Sequence, residues 1–349
     1  MDKIIVFILA SLISVLSISF LIPFSSNNGI GIDVPNRRKH HKTPVPRLGG
    51  IGVFLGFLAS LVFLNINDRV TSYLIASSII FSVGIIDDLI GLRWTVKMAA
   101  VFLATSVTIF YGRIYITHLG DLLWFGELKL GVFSIPFTYF SVLGIVSAIN
   151  LFDGLNGLAG GTSLIIFLFL ALFSYIGHDI NFMFVSLAIA GGLVGFLRYN
   201  YPRGSIFLGD SGSNFLGFSI AIASIVLFQH GRYQPMTPVL LLGLPIFDTI
   251  RVMAQRIASR KNPFSADKTH FHHILVRLGV CDRKVVLLLW VLILIFCISA
   301  FMLKSEGGWE LLLFFLSGVS IISVFLAMVP DIRKSIRQRG IRKRLEEGF

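Results

Sequence analysis

The chain has 349 residues, 55% of them apolar and only 14% charged, with 33 Phe and a formal net charge of +12. Soluble domains carry ~25% charged residues, so this composition, with a mean hydropathy of +0.84, excludes a soluble globular protein and places the chain in a bilayer. Nucleic acid is excluded as a partner as well, because there is no soluble basic module to hold it.

Apolar runs recur along the whole length, most of them near the ~18 residues that cross a ~30 Å hydrocarbon core. They predict an all-α polytopic membrane protein of about eleven transmembrane helices, at 4–24, 48–66, 71–86, 97–112, 132–149, 157–177, 182–197, 212–230, 236–256, 285–303 and 310–329. The first run, "IIVFILASLISVLSISFLIPF", is too long for a signal peptide and lacks a small-residue cleavage site, so it is the first span. With the amino end outside, roughly 24 of the 30 Lys and Arg fall on the inner side. That excess sets the N-terminus outside and the C-terminus in the cytoplasm. No soluble segment exceeds roughly 30 residues, so 1–349 is a single integral membrane domain. The tail at 330–349, "RKSIRQRGIRKR" within it, is a basic cytoplasmic segment suited to anionic lipid. The outer loop "RIYITHLGDLLWFGELKLG" alternates weakly and is compatible with a short hairpin. Cys281 lies in a basic loop and Cys297 inside a span, so both are free thiols.

Against this oily background the acids stand out, because a carboxylate in a bilayer costs about 2.5–3.5 kcal/mol on insertion scales. In chain order, Asp87 and Asp88 close the third span in "FSVGIIDDLIGL". Asp153 follows the fifth in "NLFDGLNGLAGG", flanked by Asn150 and Asn156. Asp210 lies before the eighth in "RYNYPRGSIFLGDSGSNFLGF", and Asp248 lies in the ninth in "LLGLPIFDTIRVMAQR". All reach the same membrane edge. A lone Asp at a helix end has a plain use as a cap, and Asp210, just before "SGSN", suits that role too. The adjacent pair Asp87 and Asp88 is different, since two like charges side by side call for a cation or a shifted protonation state. Asp248 has Arg251 three residues on and Pro245 just before it, the pattern of an ion pair beside a kink. Hard oxygen ligands at a wet boundary suit Mg²⁺, with Mn²⁺ as the alternative, and no thiolate is placed to favour Zn²⁺. Gly160, Gly161, Gly191 and Gly192 fit close helix packing.

Two inner loops carry the cations, "GIDVPNRRKHHKTPVPRLGG" and "RIASRKNPFSADKTHFHHILVRLG". The cluster His270, His272 and His273 suits contact with phosphate or sugar, with metal binding and plain structure as the alternatives. Cations beside a carboxylate-held metal describe a diphosphate substrate.

Five segments, "DVPNRRKHHKTPVPRLGG", "GIIDDLIGL", "NLFDGLNGLAGG", "FLGDSGS" and "DKTHFHH", stand in an order and at loop positions that resemble the polyprenyl-phosphate N-acetylhexosamine-1-phosphate transferases, glycosyltransferase family 4. Within that family the chain is most similar to the UDP-GlcNAc:undecaprenyl-phosphate GlcNAc-1-phosphate transferases that start O-antigen, enterobacterial common antigen and wall teichoic acid. The resemblance covers nearly the whole chain. It implies transfer of HexNAc-1-phosphate, most simply GlcNAc-1-phosphate, from UDP-HexNAc to undecaprenyl phosphate with release of UMP. It implies a multi-pass enzyme of the bacterial inner membrane, active on the cytoplasmic face, dependent on Mg²⁺ and homodimeric. By the same resemblance Asp87, Asp88 and Asp153 are catalytic, and Asp87, Asp88, Asn150 and Asp210 hold the metal. Lys97 lies near the diphosphate, Asn156 contacts the uracil, Phe207 stacks on the base, and His270, His272 and His273 serve the sugar side. The chain departs from the family where the acidic motif often carries a third acid, for Gly91 stands there. "HFHH" and Asn156 lean toward the GlcNAc-1-phosphate enzymes and away from the muramoyl-pentapeptide ones. Two other classes would also use membrane acids. An intramembrane aspartyl protease needs a glycine where Phe207 stands, and a transporter places its polar groups near the midplane rather than at one edge.

Overall fold

The computed structural model describes residues 1–35, 43–122, 124, 126–229, 231–260 and 269–346, and at 327 and 329–346 it describes the backbone alone. Much of both basic loops, at 36–42 and 261–268, therefore lies outside the described residues, as does the end of the tail. The helices are α1 (Asp2–Asn28), α2 (Gly49–Leu58), α3 (Asp68–Ile90), α4 (Trp94–Phe110), α5 (Ser134–Phe152), α6 (Leu158–Ile176) and α7 (Ile180–Asn200). They continue with α8 (Gly209–Gln229), α9 (Met236–Leu241), α10 (Gly243–Ala258), α11 (Phe271–Arg277), α12 (Asp282–Met302) and α13 (Gly308–Glu346).

Eight of these helices are long and apolar enough to cross a membrane, so the chain is an all-α polytopic membrane protein. Three of the expected spans take another form. The second is α2 followed by a 3₁₀ turn at Ala59–Phe63, and the fourth is the shorter α4. The ninth is split at Leu242 into α9 and α10, with Pro245 in the first turn of the second half, where its missing N–H costs nothing. The last span does not stop at 329 but runs on as α13 into the tail. The 113–131 loop does pair with itself, through a bridge between His118 and Lys129.

Helix ends follow local chemistry. Asn67 caps α3 by accepting from the Val70 N–H at 3.0 Å, and Asp179 caps α7 by accepting from the Phe182 N–H at 3.0 Å. At its other end α3 stops at Gly91, whose φ of 70° is a conformation that favours glycine.

At the centre stands α8, with 94% of its apolar window buried. It packs on α3, α5 and α2, while α1, α2, α6 and α7 form an adjoining layer. An aromatic knot ties α2, α3 and α8 together. Phe54 stacks on Phe81 with centroids 3.8 Å apart and meets Phe215 edge-on at 5.2 Å. The buried Tyr73 hydroxyl finds its partner in Ser219 at 2.8 Å. The first turn of α8 is pressed between α2 and α3. A Cβ at Gly50 would overlap the Gly212 backbone, and one at Gly84 would overlap the Ser211 backbone, so only glycine permits the approach. Gly191 and Gly192 likewise sit against backbone of Phe7 and Val53.

The first basic loop is not wholly irregular. Ile32–Asp33 (β1) pairs antiparallel with Val45–Pro46 (β2). The chain then zips to the segment before α8: Phe207 N–H donates to Pro46 O at 2.7 Å, Gly49 N–H to Phe207 O at 2.9 Å and Gly50 N–H to Leu208 O at 2.8 Å.

Two glycine substitutions separate close approach from mere smallness. Gly84→Ala should destabilise the purified protein by about 1–3 kcal/mol through overpacking. Gly144→Ala, in α5 where a Cβ meets nothing within 4 Å, should be neutral or stabilising by roughly 0.5–1 kcal/mol. Thermal unfolding in detergent reads both; equal shifts would mean that the α3–α8 contact is not tight.

Candidate active site

The amino end of α8 gathers the expected acids. Gly209 takes φ 76°, and this left-handed turn swings the chain from the Phe207 zipper into the helix. The new helix then exposes N–H groups with no partner of their own. Asp88, at the end of α3, supplies the partner: its Oδ1 accepts from Asp210 N–H at 2.7 Å, and its Oδ2 from Ser211 N–H at 2.9 Å and Ser211 Oγ at 2.6 Å. Asp88 is thus a cap in trans, favoured by the positive end of the helix dipole. Asp88, expected as a catalytic residue and metal ligand, has both oxygens on protein donors here.

Asp87 looks the other way. Its Oδ1 accepts from Leu92 N–H at 2.6 Å and its Oδ2 from Lys97 Nζ at 2.9 Å. Lys97, one turn into α4, also reaches Asp210 Oδ2 at 3.0 Å. Two carboxylates from separate helices therefore converge on one cationic atom. The other oxygen of Asp210 accepts from Asn150 Nδ2 at 2.8 Å, and that amide also touches Ser213 Oγ at 2.9 Å. Asp210 sits in the first turn of α8 rather than capping it.

Asp153 follows α5 directly as its C-terminal cap residue. Its side chain is accessible, yet the surrounding protein desolvates the carboxyl. Together with the charges of Asp210 and Asp88, and against the pull of Arg47, this pushes it up to about 7. Arg47 itself is ion-paired with Asp33, so β1 and β2 bring a cation to this region that sequence reasoning had not singled out.

The segment after Asp153 is fixed by Asn200, a buried residue that no motif singles out. Its Oδ1 accepts from Gly157 N–H at 2.6 Å and its Nδ2 donates to Ile206 O at 2.8 Å. One amide thus pins the loop bearing Asn156 to the loop bearing Phe207, and Asn156 lies against Gly204. Trp290 of α12 adds a bond from Nε1 to Gly157 O at 3.2 Å.

The histidines arrive from α11. His272 is set edge-on to Phe152, centroids 6.3 Å apart, and lies where a Cβ on Gly154 would be. His273 is 4.1 Å from His272, and His270 stacks on His272 at 6.0 Å. The cluster therefore borders the Asp153 segment. The Asp248–Arg251 ion pair expected from their spacing forms at 2.7 Å. Asp248 also bonds His270, 22 residues further on.

Could a divalent ion fit? Among the described residues no group of three or more His, Cys, Asp or Glu side chains is gathered to cage a metal. The hard-oxygen pair Asp87 and Asp210 nonetheless aims two carboxylate oxygens at a single cation. Such a two-carboxylate set suits an ion that takes its remaining ligands from water and substrate phosphates.

The sequence profile of glycosyl transferase family 4 matches residues 70–228, which include Asp87, Asp88, Lys97, Asn150, Asp153 and Asp210. A probable undecaprenyl-phosphate N-acetylglucosaminyl 1-phosphate transferase of Bacillus subtilis is 33% identical over 97% of this chain and 95% of its own length. The decaprenyl-phosphate N-acetylglucosaminephosphotransferase of Mycobacterium leprae is 31% identical over 90% of this chain and 87% of its own. The undecaprenyl-phosphate alpha-N-acetylglucosaminyl 1-phosphate transferase of Escherichia coli K12 is 27% identical over 74% and 72%. With relatives 33% and 31% identical matched over most of both lengths, the chain belongs to glycosyl transferase family 4.

Proposed function

We propose that this protein transfers GlcNAc-1-phosphate from UDP-GlcNAc to a polyprenyl phosphate, undecaprenyl phosphate in the first instance, and releases UMP. The observation that carries the reading is the convergence of Asp87 and Asp210 on one cation, at the helix end that also presents the Asn156, Phe207 and histidine segments. The relatives named for this activity support the substrates. A protease or a transporter is disfavoured by the family.

In the reaction an oxygen of the lipid phosphate attacks the β-phosphorus of UDP-GlcNAc. The bond from that phosphorus to the bridging oxygen breaks, UMP departs with the electron pair, and polyprenyl-diphospho-GlcNAc remains in the membrane. One phosphoanhydride replaces another, so no ATP is consumed. The second pKa of a phosphate monoester is about 6, so the nucleophile is already mostly deprotonated and a strong base gains little. Bringing two anions together is the larger barrier. Asp87 and Asp210 are the residues that would hold Mg²⁺, or Mn²⁺ in its place, with the Asn150 side chain buttressing Asp210. That ion would supply positive charge against the phosphates. Lys97 contributes a second positive charge. Asp88 acts by seating α8. Asp153 takes the residual proton of the acceptor phosphate and orients it. Asn156 and Phe207 serve the nucleoside, and His270, His272 and His273 the sugar and diphosphate.

The count of about eleven spans rests on the apolar runs, the orientation with the amino end outside and the site on the cytoplasmic face on the distribution of Lys and Arg, and the bacterial inner membrane on family resemblance. Homodimer formation rests on family resemblance.

The first test is UMP release by the detergent-purified protein from UDP-GlcNAc, undecaprenyl phosphate and Mg²⁺. Asp210→Asn should lower kcat by at least about 100-fold and raise the Mg²⁺ requirement; wild-type activity at ordinary Mg²⁺ would sink the assigned role. A second test uses Asp153. Its carboxylate form grows as pH rises through about 7, so kcat/KM should climb between about pH 6 and pH 8. Asp153→Asn should keep weak activity and lose that limb. An unchanged limb in the variant would assign the titration elsewhere.

A further inference from the structure

The position of Lys97 conflicts with the ion that Asp87 and Asp210 are proposed to hold. Its Nζ lies 2.9 Å from Asp87 Oδ2 and 3.0 Å from Asp210 Oδ2. The other oxygen of each acid is committed to the protein. Asp87 Oδ1 accepts from Leu92 N–H at 2.6 Å, and Asp210 Oδ1 from Asn150 Nδ2 at 2.8 Å. The ammonium therefore sits on the two oxygens that face each other across the site. A Mg²⁺ on those oxygens stands ~2.0–2.1 Å from each, in the space that the ammonium fills. The two cations exclude one another by contact, and their like charges repel.

The acids are the fixed partners. The Asp87 side chain is only 5% exposed and is pinned by the Leu92 N–H. Asp210 is braced by Asn150 in the first turn of α8, where the helix dipole favours its charge. Lys97 is held by less. It lies in the first turn of α4, where the dipole opposes a cation, and the two carboxylates hold it there. Its side chain is 26% exposed and ends on a flexible four-carbon stem that can swing away. We propose that Lys97 is a resident counter-ion that exchanges with the divalent cation. Its ammonium draws Asp87 and Asp210 together, yields their oxygens to the incoming ion, and is released to pair with a phosphate of the donor. The proposal deepens the transferase reading given above and rests on it. By linkage, the factor by which metal raises diphosphate affinity is the factor by which diphosphate raises metal affinity. Part of that factor then resides in Lys97 and not in direct contact between metal and phosphate.

Mn²⁺ binding to the detergent-purified full-length protein, read by electron paramagnetic resonance without nucleotide, tests the exchange. Lys97→Met removes the competitor and should bind Mn²⁺ at least about 10-fold more tightly than wild type. UDP should tighten Mn²⁺ binding by a larger factor in wild type than in Lys97→Met. The displacement itself is visible in lysine-¹⁵N-labelled wild type. One Nζ signal, assigned by its loss in Lys97→Arg, should be sharp while the ammonium is hydrogen-bonded. It should vanish through exchange with solvent when Mg²⁺ is added to saturation. A signal that never appears or that persists at saturating Mg²⁺ would overturn the proposal. So would Mn²⁺ binding no tighter in Lys97→Met than in wild type, an equal UDP effect in the two proteins, or no Mn²⁺ binding in either. If Lys97→Met fails to fold, the wild-type Nζ signal decides. If the wild type releases no UMP from UDP-GlcNAc, the transferase reading fails by itself, and Mn²⁺ binding and the Nζ signal still test the exchange.

Discussion

The Asp88 carboxylate at the mouth of α8 is the interaction on which the site depends. A helix that starts inside a membrane protein leaves several N–H groups unsatisfied, and no bulk water is at hand to take them. A buried carboxylate has the opposite need. Asp88 and the first turn of α8 meet both needs through three bonds. The contact requires α3 and α8 to touch backbone to backbone, which is why Gly84 lies one turn before the acid and against Ser211. Once α8 is seated, Asp210 has one place to go, and Asn150 and Lys97 find it there.

Adjacent residues on a helix point about 100° apart, and Asp87 and Asp88 exploit that difference. Asp88 faces α8 and becomes structure. Asp87 faces α4 and joins Asp210 on the Lys97 ammonium. The two acids are therefore not equivalent: Asp88 anchors α8, Asp87 shares an ammonium with Asp210, and a single turn of α3 keeps them in fixed relation. Asn200 does the corresponding work between the Asn156 and Phe207 loops, fixing both with the two ends of one amide.

How much of this was legible beforehand follows from the physics of each signal. The helices were, because apolar runs of bilayer length have few other uses, and the acids were, because charge at a membrane edge is costly enough to be conspicuous. The split at Leu242 was less so, since Gly243 and Pro245 both permit a break without requiring one. Which of Asp87 and Asp88 would face α8 depends on the position of a helix more than a hundred residues away. Asn200 and Ser211 are common residues whose importance lies wholly in a distant partner. Asp248 was paired correctly with Arg251 by helical spacing, but His270 escaped because the intervening loop, not a period, brings it back.

The charges at the α8 terminus also argue for what the site must still bind under the proposed reaction. Asp88 is compensated by N–H groups and a helix dipole. Asp87 and Asp210 are left with one ammonium between them, and the Asp153 carboxyl beside them is pushed up to about 7, by desolvation first and then by the charges of Asp210 and Asp88. The reaction brings three phosphoryl groups to the same place. Lys97 alone leaves a negative surplus before substrate arrives and a larger one after. A divalent cation held on the two carboxylates, as proposed, would reverse the sign of the local field before substrate arrives. Lys97, on its long flexible stem, then has phosphate rather than carboxylate as its nearest uncompensated anion.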